Sequence, residues 1–372
     1  MIIAINLTNF ISGASKDLVY TQFERLAVSR PEDQFIFIIT KNQELPLVLT
    51  GNISFVISTP KANTILLQNL WYDYTLPALV KKYKAAVLVN TDGVCSLRTK
   101  TRQSLFITDI GFINTGNNLL NKYHRHLQKK TPAFFKKATN IITSTRSLQK
   151  EIEAHYKNAE EKIITVPLSI SEKYQPLDWK EKEDVKDTFA EGKEYFLFVG
   201  EIGERTNLVN LLKAFSFFKR RQKSNMQLII AVRQAANNNA FTESLKTYKY
   251  RNEVKVLFNL PDEKITKLTA AAYAFVYPVW YDNFPFAPLS AVQSGAPLIL
   301  SGTDVFKEIA GDAALYVQPD NIEDIAQKMM LLFKDETQRN ELIRSGKEQA
   351  IHYQQNNHAD LLWRAIVGAI EI

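Results

Sequence analysis

Tyr195-Phe-Leu-Phe-Val-Gly200-Glu-Ile-Gly-Glu-Arg205-Thr-Asn-Leu-Val-Asn210-Leu-Leu-Lys-Ala-Phe215 is the stretch that decides the architecture. Its first five residues are apolar without alternation, the pattern of a strand covered on both faces. A short polar turn follows. From 208 to 221 the side chains Leu211, Leu212, Phe215 and Phe218 fall on one face of a helix. Strand, turn and helix in that order open a parallel α/β sheet.

The same alternation extends both ways. Downstream, residues 226–232, 254–258, 274–277, 297–300 and 315–317 read as strands, and 322–333, 336–353 and 359–370 as closing helices. Upstream, 2–5, 35–39, 53–57, 86–88, 105–107, 141–143 and 163–166 are short, β-branched or aromatic runs, with helical patterns such as 17–27 and 70–82 between them. The charged stretch 172–193, which contains Pro176, reads as a domain connection. Gly295 is placed as the residue that ends one helix, with Pro297 opening the next strand. The expected domains are 1–175, joined by a C-terminal helix 354–372, and 176–353. Two Rossmann-like halves of this kind bind ligands at the carboxyl ends of their strands.

Composition narrows the chemistry. The chain has 372 residues, 45% hydrophobic and 23% charged, which excludes wholesale disorder. Glycines number 13, about half the usual ~7% share, so several glycine-rich phosphate loops are not expected. The dinucleotide fingerprint is absent: one glycine, Gly13, follows the first strand, and Gly200 and Gly203 have the wrong spacing. No P-loop occurs. A single Cys95 excludes an internal disulfide framework and fits a cytoplasmic setting. The start, Met1-Ile-Ile-Ala-Ile5-Asn, reads as a first buried strand rather than a secretory leader.

The histidines, His124, His126, His155, His352 and His358, form no metal-ligand spacing. The formal net charge of +7 suits an anionic ligand or an acidic membrane surface. Lys122, Arg125, Lys129, Lys130, Lys136 and Lys137 alternate with Tyr123, Leu127, Phe134 and Phe135. Two readings are open: an element touching an acidic membrane, or a solvated helix face whose apolar stripe lies in the core. The basic footprint falls short of a nucleic-acid module.

The 195–215 segment resembles the strand–turn–helix of family 4 glycosyltransferases (the glycosyl transferase group 1 superfamily), in which a glycine and an Arg-Lys pair precede the helix. Val276-Tyr-Pro-Val-Trp-Tyr-Asp282-Asn-Phe-Pro-Phe-Ala-Pro-Leu-Ser290-Ala-Val-Gln-Ser-Gly295-Ala-Pro297 is similar to that family's signature, where two glutamates flank a glycine-containing loop. Phe306-Lys-Glu308-Ile-Ala-Gly311, Val317-Gln-Pro319 and the tail 335–350 continue the likeness. Ile107-Thr108-Asp109-Ile110 and the segment 142–150 match more loosely.

The resemblance implies the GT-B fold: two Rossmann-like domains facing across a cleft, with a C-terminal helix returning to the first. It also implies a retaining, metal-independent transfer from a nucleotide-sugar to a glycan or lipid-linked acceptor, without a cofactor. In that scheme Arg205, beside a helix start, meets the diphosphate, with Thr206 and Gly13 assisting. Asn207 caps the helix. Asp282 and the loop Asn283, Phe284, Pro285 and Phe286 contact the donor sugar, and Ser290 lies near the ribose. Thr108 and Asp109 face the reacting centre. The attacking hydroxyl would enter on the face the leaving group vacates, and the departing phosphate would take its proton.

Several positions depart from the family pattern. Thr206 stands where Lys is usual, Asp282 and Ser290 where the glutamates are, and Thr108 where a histidine precedes the aspartate. Asn283 and Pro285 replace loop glycines, and Ser15 takes the place of a second one after the first strand. A catalytically silent relative that serves as a binding or scaffolding partner in glycan assembly is the alternative these departures raise.

Overall fold

The computed structural model describes residues 1–8, 13–40, 51–58, 64–114, 122–235, 239–354 and 357–371. The chain forms two compact units, one of residues 1–169 with 355–372 and the other of residues 170–354.

In the first unit, β1 (Ile2–Asn6), β2 (Gln34–Ile39), β3 (Ile53–Ile57), β4 (Val87–Asn90), β5 (Arg102–Ile107), β6 (Asn140–Thr143) and β7 (Ile163–Thr165) form one sheet in the order β3-β2-β1-β4-β5-β6-β7. Every neighbouring pair is parallel. Ile3, Ile5, Phe35, Phe37, Val87 and Val89 are wholly buried, as their unbroken apolar runs require. The last helix, Asn357–Glu371, belongs to this unit. It is held by Asn140 Nδ2 donating to the Ala365 carbonyl at 2.6 Å and by the Arg30–Asp360 ion pair at 3.1 Å.

The second unit repeats the plan. β8 (Tyr195–Ile202), β9 (Gln227–Ala235), β10 (Val254–Phe258), β11 (Ala274–Tyr277), β12 (Leu298–Ser301) and β13 (Ala314–Val317) lie in the order β10-β9-β8-β11-β12-β13, all parallel. The helix Leu208–Gln222 packs Phe215 and Phe218 into the core, where Phe218 meets Phe196 edge-on at 5.1 Å. Burying one such side chain contributes roughly 1.5–3 kcal/mol. The helix Phe286–Gln293 ends with Gly295 at φ +76°; Gly295 N–H donates to Val292 and Ala296 N–H to Ala291, a Schellman closure.

Two expectations are corrected. The charged stretch 172–193 is not a linker, because most of it is the helix Trp179–Ala190 of the second unit. A capping box starts that helix, with Glu181 N–H donating to Asp178 Oδ1 at 2.8 Å and Asp178 N–H to Glu181 Oε2 at 3.1 Å. Val185 and Ala190 are buried, and the Lys186 ammonium reaches Glu183 and Glu194. The buried Lys186 is paired in this way, which composition alone disguises.

The helical pattern over 70–82 is interrupted as well. An α-helix Ile65–Leu70 passes through one π-turn, Trp71–Thr75, into Leu76–Lys82. Pro77 has no N–H to give the carbonyl four residues back, and Leu76 N–H bonds instead to the Trp71 carbonyl.

Candidate functional site

In each sheet the strand order reverses once, between β1 and β4 in the first unit and between β8 and β11 in the second. Adjacent strands there send their chains to opposite faces, which opens a crevice at their carboxyl ends. In the second unit, β8 leads into the one-turn helix Glu204–Thr206, and β11 leads into residues 278–285. Arg205 and Asp282 therefore stand over one switch point.

The two segments are joined directly. Trp280 N–H donates to the Arg205 carbonyl at 2.9 Å, and Asn207 Nδ2 donates to the Pro278 carbonyl at 2.8 Å and the Pro319 carbonyl at 2.6 Å. This corrects the expectation for Asn207. It sits at φ +59° with no capping bond from its side chain, which instead ties three segments together. Asparagine tolerates that left-handed backbone better than most residues.

Asp282 is set by its neighbours. Its Oδ2 accepts from the Tyr277 hydroxyl and its Oδ1 from Phe284 N–H, both at 3.0 Å. Tyr277 is buried and stacked on Phe198 with ring centres 5.3 Å apart. Burial, and then the Asp282 carboxylate, push its phenol well above the ordinary range, while Arg205 acts in the opposite sense. Arg205 is thus within electrostatic reach of this pair, and it lies at the surface.

Gly200 is closely covered here. A Cβ on it would come within 3.0 Å of the Phe198 ring.

The remaining donor-side residues are placed differently from the expectation. Thr206 is buried and its hydroxyl donates to the Gly203 carbonyl at 2.7 Å, so it closes the turn rather than facing a phosphate. Ser290 is buried in the helix Phe286–Gln293, and its hydroxyl donates to the Ala287 carbonyl at 2.8 Å rather than standing open to a ribose. Asn283, Phe284, Pro285 and Phe286 are all buried. Asn283 donates to the Tyr281 hydroxyl, and Phe286 packs edge-on against Tyr174 at 5.6 Å. These side chains hold the loop. Trp280, 44% exposed, was not singled out from the sequence, where no arginine stands near it; the fold alone brings it beside the Arg205 turn.

In the first unit, Gly13 is the first residue of the helix Gly13–Ser29, which follows β1. Residues 9–12 of the preceding loop lie outside the described residues. Thr108 and Asp109 follow β5; Thr108 is half-buried, and Asp109 Oδ1 accepts from Gly111 N–H at 2.6 Å. The β1/β4 switch point holds a polar group that the sequence did not disclose. Asn6 Nδ2 donates to Tyr72 Oη at 3.1 Å and to Asn90 Oδ1 at 3.2 Å, and the Tyr72 hydroxyl donates to Asp92. Tyr123 lies close to the same carboxylate; burial first, then Asp92, push its phenol up to about 12.

Among the described residues no cluster of three or more His, Cys, Asp or Glu is arranged to hold a metal ion, and no helix is long and apolar enough to cross a membrane.

Comparison with known proteins agrees with this fold. Residues 180–349 match the family model for glycosyl transferases group 1. The chain is 24% identical over 234 residues to O-antigen chain mannosyltransferase B of Escherichia coli, covering 63% of this chain and 61% of that protein. It is 25% identical over 271 residues to O-antigen chain mannosyltransferase RfbU of Salmonella typhimurium, covering 72% and 71%. The crystal structure of WaaG, a glycosyltransferase involved in lipopolysaccharide biosynthesis, superposes with a TM-score of 0.78 at 16% identity over 98% of this chain and 100% of that one. The structure of Anabaena Alr3699/HepE in complex with UDP and glucose gives a TM-score of 0.74 at 11% identity, with 99% of each chain covered. Residues 180–349 are a glycosyl transferases group 1 domain, in a chain with the two-domain Rossmann-like fold of GT-B glycosyltransferases.

Proposed function

We propose that this protein transfers a hexose from a nucleotide-sugar to a glycan or lipid-linked acceptor, with retention at the anomeric carbon and without a metal ion or other cofactor. The observation that carries the reading is that the turns bearing Arg205 and Asp282 meet at one switch point, tied through the Trp280–Arg205 backbone bond. As the glycosidic bond breaks, charge accumulates on the departing diphosphate, and a preorganised guanidinium stabilises that charge most where it develops. The Asp282 carboxylate, held from two sides, suits a sugar hydroxyl. Trp280 offers an apolar face beside them. In the first unit, Gly13 at a helix start and Thr108 with Asp109 would serve the phosphate and the acceptor. The acceptor hydroxyl attacks on the face the diphosphate leaves, which then receives the proton.

The names of the relatives favour a mannosyl donor and a glycan acceptor of the O-antigen kind. A panel of UDP, GDP and ADP with their sugars, read by thermal shift and then by product formation, tests this. Stabilisation by one nucleotide and transfer from its sugar are expected. No shift at millimolar nucleotide would contradict it, since saturating ligand raises stability measurably.

A second reading, a silent relative that binds without turnover, is favoured by one observation: the hydroxyls of Thr206 and Ser290 are both committed to backbone carbonyls. Binding without product in the same panel would support it.

A further inference from the structure

The basic helix Lys122–Lys137 had two readings, and its own apolar side answers one of them. Phe134 and Phe135 are buried in the core of the first unit and Leu127 packs against it, so this helix keeps no apolar stripe for a membrane. It leaves Lys122, Arg125, Lys129, Lys136 and Lys137 exposed, and it contains no Asp or Glu.

The apolar partner of that charge lies on the neighbouring helix. Gln68 Nε2 donates to Tyr123 Oη at 3.1 Å, and the His126 ring bonds Asn69 Oδ1 at 3.2 Å, so the segment from Ile65 through the π-turn runs alongside. This segment turns Gln68, Trp71, Tyr72 and Leu76 inward. Its opposite side carries a second apolar row, with Leu66 68%, Leu67 42%, Leu70 47% and Tyr74 53% exposed. Arg98 sits over the Tyr74 ring at 4.6 Å, and exposed Lys81 and Lys82 end the row. Segments 65–82 and 122–137 together hold eight Lys and Arg against one Asp, a net +7 that equals the formal charge of the whole chain. A core-facing helix has no use for such a row, and contiguous exposed leucine marks an interaction surface.

We propose that this face docks peripherally on an anionic lipid surface, with Leu66, Leu67, Leu70 and Tyr74 entering the headgroup region and the cations of the neighbouring helix meeting lipid phosphates. Leucine with an aromatic beside concentrated basic charge is the composition that lies in such an interface. A second copy of the chain would set two cationic faces against each other. A nucleic acid would leave the leucines without a partner. The inference does not depend on the transferase reading, and its failure would leave nucleotide binding unchanged.

Co-sedimentation of the full chain with vesicles of phosphatidylcholine, and of phosphatidylcholine mixed with phosphatidylglycerol, tests it. Binding to the anionic vesicles alone is expected, weakening as salt rises. Leu66→Ser with Leu70→Ser should lower that binding at least about tenfold. Lys122→Glu, Arg125→Glu and Lys129→Glu together should lower it more than about 100-fold. All five side chains are exposed, so circular dichroism and melting should match the parent. Depth is read by Leu70→Cys carrying a polarity-sensitive dye. Cys95 does not compete, being buried with its thiol pushed up to about 12. A blue shift on anionic vesicles is expected.

No binding to anionic vesicles, binding indifferent to both sets of changes, or binding without a shift at position 70 would each overturn the proposal. So would a leucine pair that alters the mass in solution but not vesicle binding, which would make the face a contact between copies.

Discussion

The backbone N–H of Trp280 donates to the carbonyl of Arg205 at 2.9 Å, joining the turns after β8 and β11. Segments 75 residues apart in sequence thereby become one wall of the switch-point crevice. The turns that carry Arg205, Trp280 and Asp282 owe their common location to this bond and to the two that Asn207 adds.

Asn207 separates a bridging role from a capping one. At an ordinary N-cap, replacing Asn by Gly costs only a few tenths of a kcal/mol. Here Asn207→Gly keeps the left-handed backbone but leaves the Pro278 and Pro319 carbonyls without their donor. We expect a loss of about 1–3 kcal/mol in urea denaturation. A loss of a few tenths would return Asn207 to the capping role.

Gly200→Ala should destabilise the second unit by about 1–3 kcal/mol, because the added methyl meets the Phe198 ring at 3.0 Å. That ring is stacked on Tyr277, which in turn holds Asp282, so the ring has little freedom to move aside. An unchanged melting temperature would contradict this packing.

Alkaline pH tests the buried phenols. Tyr72, Tyr195 and Tyr277 all have their pKa raised well above 10 in the folded state, chiefly by burial. The folded protein therefore keeps protons that the unfolded chain releases near pH 10. Stability should be level below about pH 10 and fall as pH rises beyond it. Tyr277→Phe should make that fall shallower, at a cost below pH 10 of about 1.5–3 kcal/mol for its hydrogen bond to a carboxylate. Equal slopes for the parent and the variant, measured by denaturant titration from pH 8 to 11, would contradict the assignment.

Ser290→Ala should leave nucleotide affinity within about twofold, since the hydroxyl already donates to the Ala287 carbonyl. A serine that bound a ribose directly would lose about tenfold for one hydrogen bond. Calorimetric titration distinguishes the two.

The unbroken apolar runs announced the sheets. Residues such as Phe35–Ile39 and Tyr195–Val199 have little choice once both faces are covered. Gly295 was legible for a similar reason, because few residues accept its positive φ at low cost. The helix Trp179–Ala190 was obscured because its many charges, most of them on an exposed face, mask the few buried positions Val185, Lys186 and Ala190. At the candidate site, the family resemblance pointed to Arg205 and Asp282, whose turns the fold joins, but it did not reveal where the hydroxyls of Thr206 and Ser290 point. Short polar side chains find partners within their own turn, which no spacing rule records. The group of Asn6, Tyr72, Asn90 and Asp92 was hidden because its members meet through strand order rather than sequence proximity.

Titrating the nucleoside diphosphate selected by thermal shift into the parent and into Arg205→Ala tests the central claim most directly. Loss of a charge-assisted bidentate contact should weaken binding by about 10- to 100-fold, with the fold intact because this side chain lies at the surface. Equal affinity for the parent and the variant would contradict the placement of the diphosphate at Arg205.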